Sequence, residues 1–217
     1  MLKYRREEFM RLRNVKNKEI ILKECPYFIE NGEDYRGKWQ EVFGNKNPIY
    51  LEIGMGKGNF LIQNALLHKD INFIGIEKFD SVLARAIPKI PEGLTNFKIL
   101  RMDAVEIEKV FDHEISHLFL NFSDPWPKAR HAFRRLTSPL FLKRYDSIFK
   151  KEKEIEMKTD NEALFVYSLQ TLTQAGYALF DLSFDYHKTH TNIIMSEYEE
   201  RFVNQGNVVF YLFAKKR

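Results

Sequence analysis

The chain of 217 residues contains one cysteine, Cys25. That excludes an internal disulfide, a paired-cysteine redox motif and a cysteine-ligated zinc site. No apolar run is long enough to cross a bilayer, and the first residues, MLKYRREEFMRLRN, lack the apolar stretch of a secretory signal. Nor is there a large charge of either sign: 34 basic residues against 30 acidic leave a net +4. Any surface for a polyanion must therefore come from where the charges sit, not from their sum. With 7 prolines and 10 glycines, the composition carries no low-complexity or collagen-like bias. These absences point to a cytoplasmic globular protein, compatible with a monomer or a homodimer. Hydrophobic residues at 44% over this length suffice for a substantial core.

Strand-like and helix-like segments alternate from Ile49. Residues 49–53, 72–76, 97–100, 117–122 and 154–157 read as strands. Between them, residues 59–67, a stretch from Asp80, 104–111 and 140–149 read as helices, with residues 161–174 following the last. Such alternation implies a parallel sheet with right-handed crossovers, an α/β doubly wound, Rossmann-like architecture. Residues 177–184 and 208–213 then read as two strands with little helix between them, an antiparallel pair closing a mostly parallel sheet. Residues 1–40 lie outside the alternation and carry Arg5, Arg6, Arg11, Arg13, Lys16 and Lys18. They are expected to form a basic N-terminal arm, with residues 41–217 as the catalytic-type domain.

The first strand runs into Leu51-Glu52-Ile53-Gly54-Met55-Gly56-Lys57-Gly58. Gly54 and Gly56 let the backbone turn sharply and approach a ligand. The spacing is neither that of a dinucleotide fingerprint nor that of a P-loop. Glu77 closes the second strand about 20 residues later, where an acid can accept both hydroxyls of a ribose. Asp103 follows the third strand, placed to accept from an adenine amino group, and Glu52 could meet an ammonium. Each acid alone would serve as a helix cap. Three at successive strand ends suit an adenosine without phosphates, because a pyrophosphate would be repelled whereas S-adenosylmethionine carries a sulfonium and an ammonium.

After the fourth strand comes Asn121-Phe122-Ser123-Asp124-Pro125-Trp126-Pro127, then Lys128, Ala129, Arg130, His131, Ala132, Phe133, Arg134 and Arg135. Ligands of open α/β sheets bind beyond the carboxyl ends of the strands, so Asp124 should face the methyl donor. The flanking prolines restrict the backbone and can hold it there. The basic tract behind it suits phosphates. No metal is implied: His187 and His190 have ligand-like spacing but no third donor clearly placed to complete a site.

Over nearly its whole length the sequence resembles the bacterial tRNA (guanine-N(7)-)-methyltransferases. The proline-tryptophan loop, residues 121–136, looks like that family's signature. Leu51 to Gly58 and Gly75-Ile76-Glu77 resemble its two cofactor motifs, and Lys158-Thr159-Asp160-Asn161 its acidic turn. Ser196-Glu197-Tyr198-Glu199 resembles its late Thr-x-Tyr-Glu motif, with serine for threonine, and Arg11-Leu12-Arg13 an N-terminal basic motif. The resemblance implies a class I S-adenosylmethionine-dependent methyltransferase acting on tRNA. It implies cofactor contacts at Glu52, Gly54, Gly56, Glu77, Asp103 and Asp124, with Asp124 catalytic. It implies substrate contacts at Lys128, Asp160, Ser196, Glu197, Tyr198 and Glu199, and RNA contacts over Arg130, His131, Ala132, Phe133, Arg134 and Arg135. Ala129, Ala132 and Phe133 thin the positive charge usual in that loop. Three rival readings are weaker. An exocyclic-amine methyltransferase would need a differently ordered Asp/Asn-Pro-Pro-aromatic tetrapeptide. A non-catalytic RNA-binding module would have no need of the intact carboxylates, and those same carboxylates disfavour a nicotinamide dehydrogenase.

Overall fold

A computed structural model describes residues 15–217. The arginines at 5, 6, 11 and 13, and with them the Arg11-Leu12-Arg13 motif, lie outside the described residues. The elements run α1 (Lys18–Lys23), β1 (Phe28–Ile29), α2 (Trp39–Phe43), β2 (Ile49–Ile53), α3 (Asn59–Leu67), β3 (Asn72–Glu77), α4 (Asp80–Ala86) and β4 (Phe97–Arg101). They continue α5 (Ile107–Val110), β5 (Ile115–Asn121), α6 (Pro139–Ile148), β6 (Phe149–Thr159), α7 (Glu162–Gln174), β7 (Ala178–Ser183), α8 (Tyr186–Thr189), α9 (Glu197–Asn204) and β8 (Phe210–Lys216).

These strands make one sheet in the order β1-β4-β3-β2-β5-β6-β8-β7. The pairings from β1 to β6 are parallel, and β8 runs antiparallel to both β6 and β7. β3, buried at all six positions, lies among the parallel strands, as expected where helices cover both faces. One face carries the cluster of Trp39, Phe111, Phe141, Tyr145 and Phe165, the other that of Leu22, Phe60, Leu61, Phe73, Leu83 and Phe97. The predicted Rossmann-like α/β class and its antiparallel ending are what the chain forms.

Local signals account for the starts of α6 and α7. Ser138 Oγ accepts from Phe141 N–H ahead of Pro139 at the first turn of α6, and Asn161 Oδ1 accepts from Leu164 N–H at 2.8 Å to start α7. Two findings depart from the sequence reading. From Val15 the stretch expected to be an arm packs on the domain: α1 lies against α4, with Lys18 paired to Asp80, and Phe28–Ile29 adds a strand to the sheet edge beside β4. The segment between β7 and β8 also contains α9, opened by a capping box in which Ser196 Oγ accepts from Glu199 N–H at 3.1 Å.

Candidate active site

Two adjoining cavities of about 520 and 400 Å³ open at the carboxyl ends of β2, β3, β4 and β5. They share Gly54, Gly56, Val82, Asn121 and Phe122 as a common wall. Gly54 and Gly56 take φ of +76° and +57°, a region side chains avoid, and among the described residues none beyond its chain neighbours has a heavy atom within 4 Å of where a Cβ on Gly54 would sit. The turn thus presents bare backbone to open space.

Four carboxylates stand around that turn. Glu52, 2% exposed, accepts from Asn121 Nδ2 at 2.8 Å through Oε1, while Oε2 is buried with no partner among the described residues. Burial pushes its pKa up to about 7, although the Asn121 hydrogen bond and Lys158 act in the other direction. Glu77 accepts three backbone N–H bonds, from Gly56 at 3.2 Å, Lys78 at 2.8 Å and Phe79 at 3.1 Å. Burial still raises its pKa despite those bonds, with the nearby charge of Asp124 adding to the rise. Asp103 accepts from Lys78 Nζ at 2.6 Å and from Val105 N–H at 3.1 Å. Burial acts against its charge, but these bonds and the lysine outweigh it and the carboxyl sits below its ordinary value. Asp124 is exposed and lines the second cavity.

The Asp124 loop leaves the sheet through two residues in the left-handed region, Phe122 at φ +51° and Trp126 at φ +42°. Such backbone persists only where its surroundings hold it. Phe122 N–H donates to Lys158 O at 2.8 Å, anchoring the root of the loop to the end of β6.

Opposite the glycine turn, Ser196, Glu197 and Tyr198 wall the first cavity. Glu197 is ion-paired to Lys57 at 2.8 Å and to Lys89, and Asn59 Nδ2 donates to Met195 O at 3.0 Å. The start of α9 is therefore fastened to the cofactor-type loop. Tyr198 OH donates to Asp160 Oδ2 at 2.9 Å, and its ring lies 5.1 Å from that of Phe122.

Not every sequence candidate reaches the cavities. Glu199 is fully buried beneath them, its carboxylate taken by Lys158 Nζ at 3.0 Å, His187 Nε2 at 3.0 Å and Ser196 N–H. It secures α9 and does not face the opening. Lys128 and Arg130 are exposed beyond the second cavity's rim, alongside His131, Ala132 and Phe133. Arg134 lines that cavity with its guanidinium 4.8 Å from the Trp126 ring, whereas Arg135 turns back into the loop. His190 is bonded to Asp181 at 2.9 Å, apart from His187. Sequence reasoning missed Asn121 and Lys158. Asn121 opens the proline-tryptophan loop as an uncharged residue with nothing to mark its role, and a lysine at a strand end gives no signal that it will be buried.

The chain matches, over residues 46–212, a family described as "putative methyltransferase". It is 47% identical over 209 residues to the tRNA (guanine-N(7)-)-methyltransferase of Lachnoclostridium phytofermentans, covering 94% of this chain and 98% of that protein. To the enzyme of that name from Geobacillus kaustophilus it is 46% identical over 205 residues, covering 93% and 94%. Among solved structures, it resembles a SAM-dependent methyltransferase from Aquifex aeolicus with a TM-score of 0.53 and 19% identity, over 92% of this chain and 98% of that one. An antibiotic-related methyltransferase superposes with a TM-score of 0.62 at 17% identity, over 83% and 93%. Those two likenesses speak for the fold alone. Identity at this level and coverage, on a sheet whose strand ends gather four carboxylates around a glycine turn, places the chain in the tRNA (guanine-N(7)-)-methyltransferase family.

Proposed function

We propose that this protein transfers a methyl group from S-adenosylmethionine to nitrogen 7 of a guanine in the variable loop of tRNA, in the cytoplasm, with Asp124 as the catalytic residue. The observation that carries the reading is the convergence of Glu52, Glu77, Asp103 and Asp124 on Gly54 and Gly56. The donor set fits the cofactor: an orphaned buried oxygen on Glu52, a bare backbone turn, and an acid at the end of β3. Glu52 Oε2 would hold the ammonium, Glu77 the ribose hydroxyls and Asp103 the adenine amino group.

When bound, S-adenosylmethionine supplies an electrophilic methyl on a positively charged sulfur. Nitrogen 7 of guanine has an in-plane lone pair and no proton, so no general base is needed. The chain's task is alignment, and stabilisation of the positive charge that arrives on the purine. Asp124 offers a fixed negative charge for the second part. Asp160 and Tyr198, already bonded to each other, offer an acceptor and an aromatic face to the base, which has to leave its tertiary pairing to enter. Arg134 and the exposed Lys128 and Arg130 would meet phosphates.

Methyl transfer from labelled S-adenosylmethionine into an unmodified tRNA transcript, followed by borohydride and aniline cleavage, tests the whole reading. One cut in the variable loop is expected. Incorporation without a cut would assign the methyl to another atom or base.

Glu52 carries a pH signature. Its carboxyl is raised in the fold, so it binds a proton more tightly there than in the unfolded chain. That contribution to stability is present below about pH 4.5 and is lost as pH rises through about 7. Above pH 7 the cofactor-free protein holds a buried charge that Asn121 and Lys158 offset only in part, costing up to about 3 kcal/mol. Glu52→Gln should therefore melt higher than the wild type at pH 8, with the gain vanishing toward pH 5, while binding S-adenosylmethionine at least roughly 10-fold more weakly. Thermal melts at the two pH values, with and without cofactor, check this. Equal melting at pH 8 would mean that Glu52 is not strained by burial.

A further inference from the structure

The basic tract behind Asp124 contains two adjacent arginines that the fold treats differently. Arg134 is exposed beside Trp126. Arg135 is half-buried and points into its own loop: Nε donates to Pro125 O at 3.0 Å and Nη2 to Trp126 O at 3.0 Å. Its guanidinium also lies 4.3 Å from the ring of Tyr167, on α7. We propose that Arg135 is a positioning residue for the Asp124 loop and not one of its RNA contacts. The proposal rests on the assignment of Asp124 made above.

The loop has a particular need for such a brace. Pro125 and Pro127 have no N–H to give, so the segment cannot be held by backbone donors at those positions. Trp126 takes a left-handed φ of +42° that is unfavourable for a side-chain-bearing residue and persists only when its surroundings enforce it. The carbonyls of Pro125 and Trp126 are the two that Arg135 grips, and they flank Trp126, the second residue after Asp124. A planar fork with fixed N–H directions can hold two successive carbonyls at once. Stacked on Tyr167, it ties the loop to α7, the helix that begins just after Asp160. Two of its five N–H donors are spent on the loop, and its guanidinium face lies against Tyr167, so the group is aimed into the protein and not outward at a phosphate.

The test compares Arg135→Gln, Arg135→Lys, Arg134→Gln and Asp124→Asn in single-turnover methyl transfer at saturating tRNA and S-adenosylmethionine. Affinity for tRNA is measured alongside, as a function of salt. Arg135→Gln should lower the saturated rate on the order of 10- to 100-fold, the scale of a misplacement near 1 Å. Its tRNA affinity and salt slope should match the wild type. Arg135→Lys, which keeps the charge but loses the fork, should recover only part of the rate. Arg134→Gln should weaken tRNA binding and reduce the salt slope by about one. Trp126 offers a further readout, since the other tryptophan, Trp39, is fully buried. Acrylamide should quench Trp126 more readily in Arg135→Gln, at an unchanged melting temperature. The proposal is overturned if Arg135→Gln weakens tRNA binding and flattens the salt slope with the saturated rate intact, or if lysine restores the full rate. Normal turnover in Asp124→Asn would sink the catalytic assignment alone. The Arg135 result is read independently, because a rate loss without an affinity loss marks loop positioning whichever loop atom meets the base.

Discussion

Replacing Asp124 with asparagine should lower turnover at saturating tRNA and S-adenosylmethionine on the order of 100- to 1000-fold, while cofactor affinity changes little. Asparagine has nearly the same shape, so the loop keeps its geometry and the change isolates the charge. In the reaction a positive charge moves from sulfur to the purine ring. A carboxylate beside the purine stabilises the transition state more than the ground state of a neutral base, which is the condition for acting on kcat. Asp124 is exposed in the free protein, where water screens it; once RNA covers the cavity, the same charge acts through a lower dielectric. Cofactor binding should tolerate the change because Asp124 also repels Glu77 and helps raise its pKa. Without that repulsion Glu77 ionises more readily, offsetting whatever contact with the cofactor is lost. Single-turnover rates with equilibrium binding decide the matter. Loss of cofactor binding with full turnover at saturation would reverse the assignment.

The strands from β2 to β5 were legible because each is a run of apolar residues punctuated by glycine or an acid, and the helices between them carry their own spacing. The acids at the strand ends were legible for a related reason: a parallel sheet places all its carboxyl ends on one side, so chain order alone gathers Glu52, Glu77, Asp103 and Asp124. Phe28–Ile29 was not legible, since two residues carry no periodicity and β1 exists only because β4 offers an open edge. Helix α9 was hidden differently. Ser196 and Glu199 are the serine and glutamate of a capping box, but the same residues read as a substrate motif, and the functional reading displaced the structural one. Arg135 shows the limit from the other side. In sequence it is one more positive charge beside Arg134, and only its bonds to Pro125 O and Trp126 O separate their roles.

Lys158 is the residue on which fold and site depend together, and Lys158→Met should cost about 3–5 kcal/mol of stability. Its ammonium, 1% exposed, donates to Ile194 O at 3.0 Å and to both oxygens of Glu199, and it sits 4.8 Å from the ring of Phe60. Among the described residues, removing it leaves Glu199, fully buried, with only His187 and the Ser196 N–H. For a chain of this length the loss corresponds to a melting temperature lower by roughly 2–4 °C per kcal/mol. The double variant Lys158→Met, Glu199→Gln should recover much of it, because no uncompensated charge remains and glutamine can still complete the capping box of α9. Recovery of stability should not restore function. Ile194 and α9 are held to the end of β6 through this lysine, and α9 carries Tyr198, whose hydroxyl meets Asp160. The double variant is therefore expected to fold and to bind S-adenosylmethionine, yet to show a raised KM for tRNA. Denaturation midpoints of the two single variants and the double give the coupling energy. Additive losses would mean that Lys158 and Glu199 do not act as a pair. A double variant with normal KM would mean that α9 finds its place without them.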